Sequence, residues 1–206
     1  MLIKIHPDNP DLRRVRQIVE CLKQGGIVIY PTDTIYGFAC DITKFKVIEK
    51  IAQLKGRNLK NERFSIICYD LSSLSDYTRP ISNSIYRIMK KALPGPYTFI
   101  LEANNNVPKI FHNKRNSIGI RVPENNIART LVEELGNPIV STSVRQDDDI
   151  EEYLTDPELI YERFGNLVDI VIDGGYGDYT PSTVIDCTGD EPVVIREGKG
   201  ETNFLL

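Results

Sequence analysis

Apolar positions along this chain fall into two kinds of run that alternate from end to end. Short, nearly continuous runs read as buried strands: Leu2–Ile5, Ile27–Tyr30, Tyr36–Cys40, Phe64–Cys68, Tyr97–Leu101, Ile118–Val122, Pro138–Ser143, Val168–Ile172, Ser182–Cys187 and Pro192–Arg196. Between them lie segments with apolar residues at helical spacing. The first starts at Pro10 with Asn9 as its cap and carries Leu12, Val15, Ile18, Val19 and Leu22. Others span Thr43–Leu54, Leu71–Tyr77, Ser82–Leu93, a helix capped by Asn125 or Asn126 and closed by Gly136, and a helix starting at Asp156 and Pro157. Several connections are too short for parallel crossovers. The pattern therefore predicts one α/β domain over residues 1–206, a twisted open mixed sheet flanked by helices.

The stretch Gly25–Gly37 stands out within that pattern. An apolar strand is stopped by Pro31 and runs into Thr32, Asp33, Thr34 and Tyr36, where an open sheet exposes its strand ends. Pro138–Ser143 repeats the design, ending in Ser141, Thr142 and Ser143. Cations follow other elements: Lys55, Arg57, Lys60 and Arg63 in one loop, and a second basic cluster over Lys109–Arg115. Arg121 and Arg196 sit in strands that are otherwise apolar, so each calls for an anionic partner, an internal Asp33 or Asp186 or a ligand. Together with Ser117 and Ser182 these hydroxyls and cations suit an anionic ligand, because arginine offers paired donors and lysine a point charge.

Composition narrows the classes. With 41% hydrophobic and 26% charged residues the chain is an ordinary globular one. Neither a membrane-length apolar run nor a basic-then-apolar leader is present, so a cytoplasmic location and no membrane partner are expected. Cys21, Cys40, Cys68 and Cys187 are scattered, and His6 and His112 are the histidines, which argues against a protein-bound metal or a disulfide framework. Neither common glycine-rich nucleotide loop occurs, nor a plausible Ser/His/Asp set. The net charge of −4 gives no global field for nucleic acid, so any polyanion site must be local.

Seven blocks then carry a resemblance, in order: the Gly25–Gly37 stretch, Leu54-Lys55-Gly56-Arg57, Pro94–Ile100, Ile118–Pro123, Pro138–Ser143, Pro181–Asp186 and Val193–Gly198. They resemble the YrdC-type threonylcarbamoyl-AMP synthase family, and the two termini resemble its YciO-like branch. The resemblance implies a twisted open sheet with a positively charged concave face, associated with double-stranded RNA. It also implies synthesis of threonylcarbamoyl-AMP from ATP, L-threonine and bicarbonate for tRNA modification, with Mg²⁺ accompanying the nucleotide. By that likeness Lys55, Arg57 and Ser143 are the catalytic candidates. Lys55, Arg57, Arg63, Ser117, Ser143, Arg145 and Arg196 would meet ATP, and Thr32, Thr34, Tyr36, Arg121 and Ser182 the amino-acid substrate. One block departs. The family's Ser-x-Asn stands here as Ser143-Val144-Arg145, followed by the acidic run Asp147–Glu152. Arginine only donates, whereas asparagine also accepts. A non-catalytic module binding double-stranded RNA or tRNA in the same cavity is the alternative expectation.

Overall fold

The computed structural model describes residues 1–57, 59, 62–107, 116–145 and 155–205. The basic cluster with His112, the acidic run and Lys60 lie outside the described residues. Ten strands are present among them: β1 (Leu2–Lys4), β2 (Val28–Tyr30), β3 (Gly37–Asp41), β4 (Ser65–Ile67), β5 (Tyr97–Glu102), β6 (Ser117–Arg121), β7 (Ile139–Ser143), β8 (Ile170–Asp173), β9 (Thr183–Asp186) and β10 (Val193–Arg196). They form one mixed sheet in the order β1-β8-β2-β3-β7-β4-β6-β5-β9-β10. Pairs β1–β8, β2–β8, β4–β6 and β5–β9 are parallel, and the remaining five are antiparallel.

Among the described residues five α-helices cover it: α1 (Leu12–Lys23), α2 (Phe45–Leu54), α3 (Asn83–Ala92), α4 (Asn126–Leu135) and α5 (Pro157–Phe164). Each has a buried apolar stripe, and four have a side-chain cap: Asp11, Ser82, Asn125 and Asp156 each accept a backbone N–H from the first turn. Gly136 ends α4 in the left-handed region at φ 79°, as a residue without Cβ allows. Two boundaries correct the sequence reading. Asp11, not Asn9, caps α1, so Pro10 lies ahead of the helix rather than at its first position. The Leu71–Tyr77 segment yields only a 3₁₀ turn at Leu74–Asp76, although Leu71, Leu74 and Tyr77 all pack on the larger core.

The two sheet faces are dressed differently. On one, α2, α3 and α5 pack Ile48, Ile51, Ile85, Met89, Ile160 and Phe164 against Ile29, Phe38, Ile66, Phe99, Ile120 and Ile185 in the larger core. On the other, α1 and α4 pack Val15, Ile18, Leu22, Ile127 and Leu131 against Ile3, Val28, Tyr30, Ala39, Ile67, Ile139 and Ile172. That second core stops partway across the sheet. Beyond it, the same face of β7, β4, β6 and β5 carries Ser141, Ser143, Ser65, Gly119, Ser117, Arg121 and Thr98, with Ile100 the apolar member.

Candidate functional site

The uncovered face follows from strand register. Ser141 on β7 stands opposite Ser65 on β4, which stands opposite Gly119 on β6. With a side-chain period of two, Ser143, Ser117, Arg121 and Thr98 share that face. Contacts agree: a Cβ on Gly119 would lie 2.8 Å from Ser65 Oγ and 3.0 Å from Thr98 Cγ2, and one on Gly37 would lie 2.8 Å from Ser141 Oγ. Glycine at these two positions keeps the floor low. Tyr30 donates from Oη to Ser141 Oγ at 2.9 Å, and burial pushes its hydroxyl up to about 12, so it stays protonated. The hydroxyls expected at strand ends thus form a floor across the middle of the sheet, where alternation rather than strand termination gathers them.

Three polar groups stand on or beside this floor. In the first, Arg121 Nη2 donates to Asp33 Oδ1 at 2.7 Å and to Thr34 Oγ1 at 3.1 Å, and Thr34 Oγ1 lies 3.1 Å from Thr32 Oγ1. Asp33 is also held by the backbone N–H of Glu124, and its carbonyl by Lys199 Nζ. The internal partner is therefore Asp33. Arg121 Nε is nevertheless buried with no hydrogen-bond partner.

In the second, Arg196 donates from Nε and Nη2 to the Ser182 carbonyl and from Nη2 to Ser182 Oγ, which lies 2.8 Å from Thr98 Oγ1. The sequence reading of Arg196 as a buried strand residue is corrected: β10 is an edge strand and the residue is exposed there, with only its head turned inward. Burial of that head, then the positive charges of Arg121 and Arg63, lower its affinity for its proton. Three guanidiniums therefore interact here, and among the described residues neither Arg63 nor Arg196 has a carboxylate partner.

The third group stands at the rim, where β7 ends. Lys55, just past α2, donates from Nζ to the Ser143 carbonyl at 2.8 Å and to Thr142 Oγ1 at 3.2 Å. Glu62 Oε1 lies 3.2 Å from Lys55 Nζ and accepts from Thr142 Oγ1 at 2.5 Å, while Arg57 Nη1 is 3.7 Å from Oε2. Sequence reasoning counted the cations of this loop and passed over Glu62. The available signal was a single carboxylate between Lys55 and Arg63. Ser117 is buried on the floor, Ser143 is exposed at the rim, and Arg145 follows, half-buried.

Tyr36 stands apart. Its hydroxyl donates to the Gly175 carbonyl at 2.6 Å and accepts from the Gly174 N–H, pinning that turn rather than facing the floor. Cys40, Cys68 and Cys187 are buried, and burial raises all three thiols, so none is a ready nucleophile. No group of three metal-binding side chains occurs among the described residues, and no helix among them is long and apolar enough to cross a membrane.

A mixed sheet with a hydroxyl floor ringed by arginines makes this an α/β fold with a candidate anion site. The chain belongs to the Sua5/YciO/YrdC family: the family model described as "Telomere recombination" matches residues 20–198. It is 44% identical over 204 residues to the YciO protein of Escherichia coli strain K12, covering 98% of this chain and 97% of that one. The crystal structure of E. coli YciO superposes at a TM-score of 0.92, with 41% identity and 100% and 99% of the chains covered. More distantly, it is 30% identical over 174 residues to the threonylcarbamoyl-AMP synthase of Nitrosococcus oceani, covering 84% of this chain and 92% of that one. The structure of P. abyssi Sua5 complexed with L-threonine matches at a TM-score of 0.87 with 26% identity; the match covers 96% of this chain and 57% of Sua5.

Proposed function

We propose that this protein binds a nucleotide and a small amino acid over the hydroxyl floor and joins them as L-threonylcarbamoyl-AMP, a step serving tRNA modification. The observation that carries this reading is Arg121. Its Nη2 is committed to Asp33 and Thr34, but its buried Nε is left without an acceptor, beside Arg63 and Arg196. A buried donor of that kind costs free energy unless a ligand supplies the acceptor. A carboxylate laid against Arg121, with Thr32 and Thr34 beside it, supplies one. The synthase relatives and the L-threonine complex of Sua5 support L-threonine as that carboxylate.

The chemistry follows from charge placement. Threonine's amine adds to bicarbonate and loses water to give the carbamate, whose oxygen attacks the α-phosphorus of ATP. The bond to the β-phosphate breaks and pyrophosphate leaves. No side-chain nucleophile is needed, because the work is positioning and charge neutralisation. Arg63 and Arg196, with Ser117, face the phosphate side, and Lys55, Arg57, Ser143 and Arg145 lie where the leaving pyrophosphate would extend. Magnesium would travel on the phosphates. The test is incubation with ATP, L-threonine, bicarbonate and Mg²⁺, followed by mass spectrometry for threonylcarbamoyl-AMP. A product peak lost in Arg121→Ala supports the reading. No peak, together with no thermal shift from ATP, AMP or threonine, overturns it. So does salt-sensitive RNA binding with no threonine requirement.

A further inference from the structure

Beyond β10, Gly198-Lys199-Gly200 crosses the start of β9 as a strap. Both glycines are set by close approach. A Cβ on Gly198 would strike the Pro181 carbonyl and the Ser182 backbone, and one on Gly200 would strike the Tyr97 ring. The strap's backbone is held along its length. Buried Thr183 accepts the Gly198 N–H on Oγ1 at 3.0 Å and donates from Oγ1 to the Gly200 carbonyl at 2.6 Å. The Lys199 N–H donates to the Pro181 carbonyl at 2.8 Å, and Tyr97 Oη to the Glu201 carbonyl at 2.9 Å. Lys199 is thus a long side chain on a fixed base, between two residues that have none.

That side chain reaches the amino-acid half of the site. Its Nζ donates to the Asp33 carbonyl at 2.8 Å and lies 2.8 Å from Asp178 Oδ2. The Asp178 N–H donates to the Thr34 carbonyl at 3.1 Å. Two consecutive carbonyls of the 31–35 loop are therefore gripped by segments that flank β9 and β10. The bonds of Thr32 to the Thr34 N–H and the Ile35 carbonyl only fold that loop on itself. The Asp33 carboxylate in turn holds Arg121 Nη2 and accepts the Glu124 N–H. Where the Asp33 backbone sits therefore sets where the Arg121 guanidinium is held, and with it the aim of the unpartnered Nε. The Lys199 and Asp178 side chains are 44% and 27% exposed, and an ion pair that open to water contributes little stability. Its main consequence is geometric.

Resting on the threonine reading above, we propose that Lys199 is a positioning residue for the amino-acid half of the site, acting through Asp33 and Thr34 on Arg121. The nucleotide half is spared, because Arg196 is held by Ser182 through bonds that do not involve Lys199. The experiment titrates L-threonine, and separately ATP with Mg²⁺, into wild type, Lys199→Met and Lys199→Arg by calorimetry. Lys199→Met keeps much of the side-chain length but removes the donor and the charge. It should weaken L-threonine at least about tenfold and leave ATP within about twofold. Its melting temperature should move by no more than about 3 °C. Lys199→Arg, whose fork donates to both oxygens, should keep L-threonine within about threefold of wild type. Unchanged threonine affinity in Lys199→Met overturns the inference and leaves the threonine reading standing. Equal losses of threonine and ATP, or a Lys199→Arg as weak as Lys199→Met, mean general loosening and overturn it too. If wild type binds ATP but no threonine, the threonine reading falls and takes the inference with it.

Discussion

Arg121 shows how one residue serves both fold and site. Its side chain and that of Asp33 are 12% and 8% exposed, so removing one partner leaves the other charge buried. Arg121→Leu is expected to cost about 3 kcal/mol of stability, and urea unfolding measures it. Adding Asp33→Asn should return most of that loss, because the stranded carboxylate is gone, yet leave threonine binding abolished. Recovery of binding in the double variant would remove Arg121 from the site. The sequence already marked Arg121 as a strand residue needing an anion and offered Asp33 among its partners. It did not mark Glu62, because an acid in a basic loop looks like a solvated charge until packing buries it. Arg196 went the other way. Flanked by Val193, Val194 and Ile195, it read as buried, and only the strand order placed it on the edge.

At the scale of elements, three segments are laced together beside the floor. Lys199 Nζ donates to the Asp33 carbonyl and pairs with Asp178 at 2.8 Å, and the Asp178 N–H donates to the Thr34 carbonyl. The 31–35 loop, the 174–182 loop and the segment after β10 are thereby tied around Thr34. Burial pushes the Asp178 carboxyl upward, but hydrogen bonds from Lys199 and Thr180 outweigh it and hold it below the usual carboxylate value of 3.8. A depressed folded-state value stabilises the protein above the unfolded value, and that stability is lost as pH falls through the folded one. The lacing should therefore hold at neutral pH and loosen below about pH 3.8. Asp178→Asn should flatten part of the acid limb of a melting-temperature profile. An unchanged limb would show that other carboxylates govern acid unfolding. None of this lacing was legible from spacing, since its partners come from three separate loops.

Over the whole molecule, the cysteines report on global opening. Burial raises the thiols of Cys68 and Cys187 to about 12 and that of Cys40 further. All three belong to the larger core, under α2, α3 and α5. At pH 7.5 iodoacetamide should modify them together, at a rate set by unfolding of the chain and accelerated in parallel by urea. Fast labelling of one of them in native buffer would mean that its part of the core opens alone. The net charge of −4 belongs to this scale too. It supplies no long-range attraction for a polyanion, so any anion affinity at the proposed site must rest on the local arginines.

By itself the sequence determined the class of fold, the element types and the residues from which an anion site could be built. Those depend on local periodicity, on Pro and Gly breaks and on side-chain chemistry, all of which are written in neighbouring positions. The tertiary structure alone decided which of those residues meet. Strand order set Arg196 on an edge, register placed Ser65, Ser141 and Gly119 in one row, and loop closure brought Asp33 to Arg121 and Glu62 to Lys55. These are contacts between positions far apart in the chain, and no local pattern encodes them. They form because ten strands can bury their apolar faces in one sheet, and the polar remainder is carried to a common floor.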